Sequence, residues 1–222
     1  MQSNLNDRVY IVTGGSRGFG LAIAQALVEH GARVGLVSRN ASALEAAVAR
    51  LGAGRAFAVG MDVSERADIA RAFTRIKAHF GRLDGLINNA GLARPGSVEN
   101  LDAAEVQAQV GTNLLGTVYC CQAAIPLLRG GDNPRIVNIS SASAYHMDEM
   151  AHLSIYAATK AAVERFSRDL RRELQGDGIG VTILRPGAAA TEFAAGWDPG
   201  RFEPALKAWI DQGKLMDIGM DA

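Results

Sequence analysis

The 222-residue chain has only two cysteines, at adjacent positions 120 and 121, and four histidines. Neighbouring cysteines cannot close an ordinary unstrained disulfide, and no other cysteine or histidine stands at metal-ligand spacing. A disulfide framework and a metal centre are therefore both excluded, and Cys120 and Cys121 are expected to be small buried hydrophobes in a reducing cytoplasm. Charge of one sign is also lacking, since 23 Lys and Arg balance 23 Asp and Glu. Nucleic acid and anionic membrane surfaces both require a clustered excess of cations, so neither is an expected partner. No apolar run approaches the roughly 20 residues of a spanning helix. The opening MQSNLNDRVY has no basic stretch followed by an apolar one, so no secretory signal is expected and the protein is placed in the cytoplasm.

What is present is alternation. Short β-branched runs at 9–13, 33–38, 56–60, 83–88, 135–140 and 181–184 read as strands, most of them apolar throughout, as parallel strands covered on both faces must be. Between them lie segments with helical apolar spacing. Leu21, Ile23, Ala24, Leu27 and Val28 form one stripe, closed by Gly31. Ser42, with Glu45 three residues on, is expected to cap a helix over 43–51, and Ser64 one over 65–80 that ends at Gly81. Longer helices are predicted over 103–128, bent near Gly111 or Gly116, and over 155–175. No linker, repeat or low-complexity segment divides the chain, so residues 1–222 are expected to form a single α/β domain with helices on both faces of one parallel sheet.

The turn between the first strand and the first helix is Thr13-Gly14-Gly15-Ser16-Arg17-Gly18-Phe19-Gly20. Glycines at 14, 18 and 20 let the chain turn sharply and let backbone approach a bulky anion, leaving a helix N-terminus to face a pyrophosphate. At the end of the second strand, where an acidic residue would hold an adenosine ribose, the chain instead has Ser38-Arg39. A carboxylate would repel a 2′-phosphate, whereas Arg39, joined by Arg17, can fork onto it, so NADP(H) is predicted over NAD(H). Tyr156 and Lys160 are four residues apart on a predicted helix and share a face, which would let the ammonium lower the phenol pKa from about 10.

Together, Thr13 to Gly20, Asn88-Asn89-Ala90-Gly91 and Tyr156-Ala-Ala-Thr-Lys160 make the chain resemble the short-chain dehydrogenase/reductase family across about residues 7 to 195. The resemblance implies a Rossmann-like doubly wound sheet. Its acid/base would be Tyr156, with Lys160 also binding the nicotinamide ribose, and Ser141 would steady the substrate oxygen, with Ser140 the adjacent alternative. Asn113 matches the residue that keeps a helix irregular so that a backbone carbonyl holds a relay water. Asn89, Ala90 and Gly91 would flank the cofactor, Asp62 and Val63 would bracket adenine, and Pro186, Gly187, Ala189 and Thr191 would meet the nicotinamide and pyrophosphate. Ala189 departs from the branched residue usual there.

His146 and His152 are expected to be ordinary side chains of a loop lining the substrate pocket. Phe193, Trp197 and Phe202 suggest a lid, at about 188–215, over a small and moderately apolar carbonyl or alcohol. The family continues through a further helix and a seventh strand, so the C-terminal edge strand is expected to be missing here. A homodimer or homotetramer is implied as well. The rival readings are a regulatory protein on the same fold, or an epimerase or lyase using the cofactor transiently.

Overall fold

A computed structural model describes residues 5–144, 150–187, 192–194 and 196–213. Among these, six strands, β1 (Val9–Thr13), β2 (Arg33–Ser38), β3 (Ala56–Gly60), β4 (Gly85–Asn88), β5 (Arg135–Ile139) and β6 (Gly180–Leu184), pair in the order β3-β2-β1-β4-β5-β6. Every pairing is parallel. Alternate strand residues serve opposite faces. Val9 and Ile11 pack with Phe73, Ile76, Cys121 and Leu170, while Tyr10 and Val12 pack with Ala24, Leu44 and Ala47. The connections supply the covering helices α1 (Gly18–Glu29), α2 (Ala41–Leu51), α3 (Arg66–Phe80), α4 (Ala103–Val110), α5 (Gly116–Leu128), α6 (Ser154–Glu173) and α7 (Pro199–Asp211). No helix of the described residues is long and apolar enough to cross a membrane.

Local starts and stops differ from the sequence expectations where a side chain replaces a backbone partner. β4 begins at Gly85 rather than 83, and the buried Asp84 carboxylate accepts from Val9 N at 2.8 Å while Arg82 grips it. α2 begins two residues before the predicted start, so Asn40 caps it by accepting from Ala43 N at 3.0 Å, and Ser42 falls inside the first turn. α3 has no side-chain cap, because Ser64 turns back to Asp62, whose Oδ1 accepts from Ser64 N (2.9 Å) and Oγ (2.8 Å). The bend expected near Gly111 or Gly116 is a π-helical turn, Gly111–Leu115, joining α4 to α5.

The register aligns the carboxyl ends: Thr13 sits opposite Val37, Asn88 opposite Asn138 and Ile139 opposite Leu184. The strand order reverses between β1 and β4, so a crevice opens there, outside the strand ends, where open α/β sheets bind ligands.

Candidate active site

The crevice begins with the turn after β1. Gly14 (φ +64°) and Gly18 (φ +52°) hold backbone that side chains disfavour, and at Gly20 a Cβ would lie 2.2 Å from Gly14 O. The turn is therefore built around the absence of side chains. Its position is set by β4: Asn89 Nδ2 donates to Thr13 O (3.0 Å) and Gly14 O (3.3 Å), and Thr13 Oγ1 accepts from Asn89 N and Ala90 N. The Asn89 amide is thus occupied in shaping the turn. Arg17 stands in extended backbone before α1 and its side chain does not cap the helix, so the helix N-terminus keeps its donors for an anion. Ser16 and Phe19 flank that opening, with Phe19 40% exposed.

On the adenosine side Ser38 ends β2, and Arg39, with 70% of its side chain exposed, reaches to 3.8 Å from Asp62 Oδ2. Asp62 is partly buried by its bonds to Ser64, and Val63 is buried. A strongly cationic side chain and a carboxylate therefore meet just beyond β2 and β3.

Across the crevice, α6 presents Tyr156 and Lys160 on one face. Lys160 is 4% exposed, its Nζ donates to Ile139 O at 2.9 Å and lies 5.8 Å from the Tyr156 ring centre. Burial pushes the Lys160 pKa down to about 8. The Tyr156 phenol is raised, because burial outweighs the hydrogen bond from Ser141 that favours the phenolate. This corrects the expectation of a phenol acidified by Lys160: the ammonium is turned to the Ile139 carbonyl, and desolvation dominates.

The two serines separate cleanly. Ser140 is buried and donates to Glu164 Oε1 (3.0 Å), with Lys160 O at 3.3 Å as the alternative acceptor, whereas Ser141 faces Tyr156 and accepts from Ser143. Asn113, fully buried in the π-helical turn, pairs with both backbone groups of Leu92: Oδ1 accepts from N at 2.8 Å and Nδ2 donates to O at 2.9 Å. Its Nδ2 also donates to Thr159 Oγ1 at 3.0 Å, one turn along α6 from Tyr156. Gly91 lies between them, where a Cβ would be 3.3 Å from both Asn113 Oδ1 and Lys160 Nζ. Tyr156, Lys160, Ser141, Asn113 and Gly91 are thus brought together. Pro186 joins this end of the sheet by accepting from Ala142 N at 3.0 Å, with Gly187 next to it. Ala189, Thr191 and His146 lie outside the described residues. His152, at φ +65°, contributes its carbonyl to Gly96 N.

An aromatic wall closes the far side. The rings of Tyr156 and Phe193 are 5.7 Å apart, and the cluster continues through Trp197, Phe202 and Trp209. Trp209 Nε1 donates to Ala151 O at 2.7 Å, and Arg201 on α7 bridges to Glu105 and Asp102 on the α4 side. Sequence reasoning missed Trp209 and Arg201. The spacing of Phe202 and Trp209, seven apart on one helical face, was the available signal for the first. It also missed Glu164, whose carboxylate is held by Arg185 Nε (2.5 Å) and Nη2 (2.7 Å).

Comparison with known proteins matches the fold. An oxidoreductase of Botryotinia fuckeliana is 37% identical over 187 residues, which is 84% of this chain and 68% of that protein. A Staphylococcus aureus oxidoreductase is 33% identical over 195 residues, covering 88% of this chain and 84% of its own. Among solved structures, a short chain dehydrogenase from Burkholderia cenocepacia in complex with NADP superposes with a TM-score of 0.81 at 36% identity, covering 87% of this chain and 80% of that one. The 3-ketoacyl-(acyl-carrier-protein) reductase from Brucella melitensis, complexed with NADH, gives 0.82 at 30%, covering 87% and 81%. Residues 8–201 match the family described as short chain dehydrogenase, and the chain belongs to that family of oxidoreductases.

Proposed function

We propose that the chain is an NADP(H)-dependent reductase or dehydrogenase acting on the carbonyl or secondary alcohol of a small, moderately apolar substrate. The observation that carries this reading is the convergence of Tyr156, Ser141, Lys160 and Asn113 beside Gly91, facing a turn whose Gly20 has no room for a side chain. The crevice fits a dinucleotide: the turn at Gly14 to Gly20 and the α1 N-terminus would take the pyrophosphate, Asp62 and Val63 the adenine, Gly91 and Lys160 the nicotinamide ribose, and Pro186 and Gly187 the nicotinamide. When bound, that cofactor supplies or accepts the hydride.

The remaining chemistry belongs to the chain. The partly buried Tyr156 phenol keeps its proton at neutral pH and gives it to the carbonyl oxygen as charge builds there, and Ser141 Oγ donates to the same oxygen. Lys160, held on the Ile139 carbonyl with Nζ 5.8 Å from the Tyr156 ring centre, would meet the nicotinamide ribose. Asn113 holds the Leu92 backbone and Thr159 in place, keeping the α4 to α5 junction irregular at the base of the site. Phe193, Trp197 and Phe202 exclude water and favour apolar substrate bodies.

NADP(H) rather than NAD(H) rests on Arg39. Its guanidinium occupies the end of β2 in place of an acid and, with Arg17, offers a fork to a 2′-phosphate. The solved relatives include both an NADP and an NADH complex, so the family alone does not decide. Oxidation of NADPH and NADH with a panel of ketones and aldehydes tests the reading: turnover with a kcat/KM ratio favouring NADPH is expected, and a clear preference for NADH or cofactor retention without net redox turnover would overturn it.

A further inference from the structure

At the opposite end of the sheet, where β5 and β6 begin and α6 ends, lies a surface cavity of about 420 Å³. Arg135, Arg171, Arg172 and Gln175 line it above Ile179 and Gly180, and none of the lining side chains is acidic. Among the described residues none of the three arginines makes an ion pair, whereas Asp177, in the turn after α6, is taken by Arg129 at 3.0 Å. Two of the guanidiniums are placed by the backbone. Arg171 Nε donates to Val181 O at 2.8 Å, which leaves its terminal nitrogens free for another acceptor. Arg135 lies flat on β6, and a Cβ at Gly180 would be 1.9 Å from its Nη1. Offsetting the carbonyls at the C-terminus of α6 would account for Arg171 and Arg172. It does not account for Arg135, which comes from β5 and is seated over a glycine.

Three like charges around one cavity repel each other unless an anion joins them, and planar guanidinium forks match a phosphate oxygen pair. We propose that this cavity binds a phosphate-type oxyanion, free or carried by a small phosphorylated molecule. Its volume lies within the roughly 300–1,000 Å³ of small-molecule sites. The cavity is separate from the crevice at the carboxyl ends, so occupancy of one does not require the other.

The test is thermal unfolding of the full chain at constant ionic strength with inorganic phosphate, pyrophosphate or glycerol 3-phosphate, against chloride. A saturating ligand should raise Tm by about 3 °C. A response to phosphate or pyrophosphate identifies a free oxyanion, and one confined to glycerol 3-phosphate identifies a carried phosphoryl group. Gly180→Ala keeps every charge while displacing Arg135, and should weaken binding at least tenfold, as should Arg135→Gln combined with Arg172→Gln. Both variants should keep wild-type NADPH turnover, and Arg39→Gln should keep the anion response. A shift absent in the wild type, unchanged in the cavity variants, or lost in Arg39→Gln because the anion sits at the 2′-phosphate position beyond β2, would overturn the proposal. Because anion binding is read without turnover, a failed redox assay leaves this result standing.

Discussion

The Lys160 ammonium donates to the carbonyl of Ile139 at 2.9 Å, on the strand that leads into Ser140 and Ser141. A buried cation is thereby tied to the end of β5 rather than to the phenol one turn before it on α6. Folding takes that charge out of water, and a single carbonyl repays only part of the lost hydration.

The consequence is a pH-dependent cost. Burial holds the Lys160 pKa at about 8, against an ordinary 10.5. Between those values the unfolded chain keeps a proton that the folded chain has released, so this group makes stability rise with pH from about 8 to 10.5. Below pH 8 the penalty is present in full, on the order of 3 kcal/mol. Unfolding of the wild type and of Lys160→Met, compared across pH 7 to 10, should show the difference moving in the wild type's favour as pH rises. A constant difference would contradict this account.

Gly20→Ala places a Cβ 2.2 Å from Gly14 O, and the turn must open to admit it. NADPH affinity, measured by fluorescence titration, should fall at least tenfold while circular dichroism stays native-like. Unchanged affinity would mean that the turn does not approach the pyrophosphate.

Arg39→Asp replaces the guanidinium with a carboxylate beside Asp62, the group it now reaches at 3.8 Å. Losing a charge-assisted contact to a 2′-phosphate is worth about 1.5–3 kcal/mol, or roughly 10- to 100-fold in kcat/KM for NADPH, with NADH little affected or improved. Equal losses for both cofactors would remove Arg39 from the adenosine end.

Glu164 is buried beside Ser140, and the exposed Arg185 holds its carboxyl below the usual range. Glu164→Leu removes an acceptor from Ser140 and from Arg185, whose side chain is 38% exposed and can turn to water, and should cost about 1–3 kcal/mol, read by urea denaturation. A loss below 1 kcal/mol would show that the network contributes little to the fold.

The strands were legible because parallel pairing needs continuous apolar runs, and β1, β2 and β3 match their predicted limits residue for residue. The glycine turn and the Tyr156 to Lys160 spacing were equally legible, since both are local. Partners drawn from far along the chain were not. Asp84 binds Val9, 75 residues away, just before β4, and the expected cap Ser42 gives way to Asn40, because packing sets where α2 starts. The same holds in the site. Spacing placed Lys160 near Tyr156, but the choice between phenol and Ile139 carbonyl depends on where β5 ends. Ser141 was separated from Ser140 only by the burial of the latter against Glu164. The segment holding α7 was read as a lid, and its attachment through Arg201 to Glu105 spans 96 residues and left no local mark.

The most direct test is the turnover of Tyr156→Phe with NADPH and any carbonyl compound the wild type reduces, with NADPH affinity measured on the same preparation. Losing the proton donor should lower kcat by about 10²–10⁴-fold with affinity within twofold. A variant that reduces the substrate at close to the wild-type kcat would show that the proton comes from elsewhere.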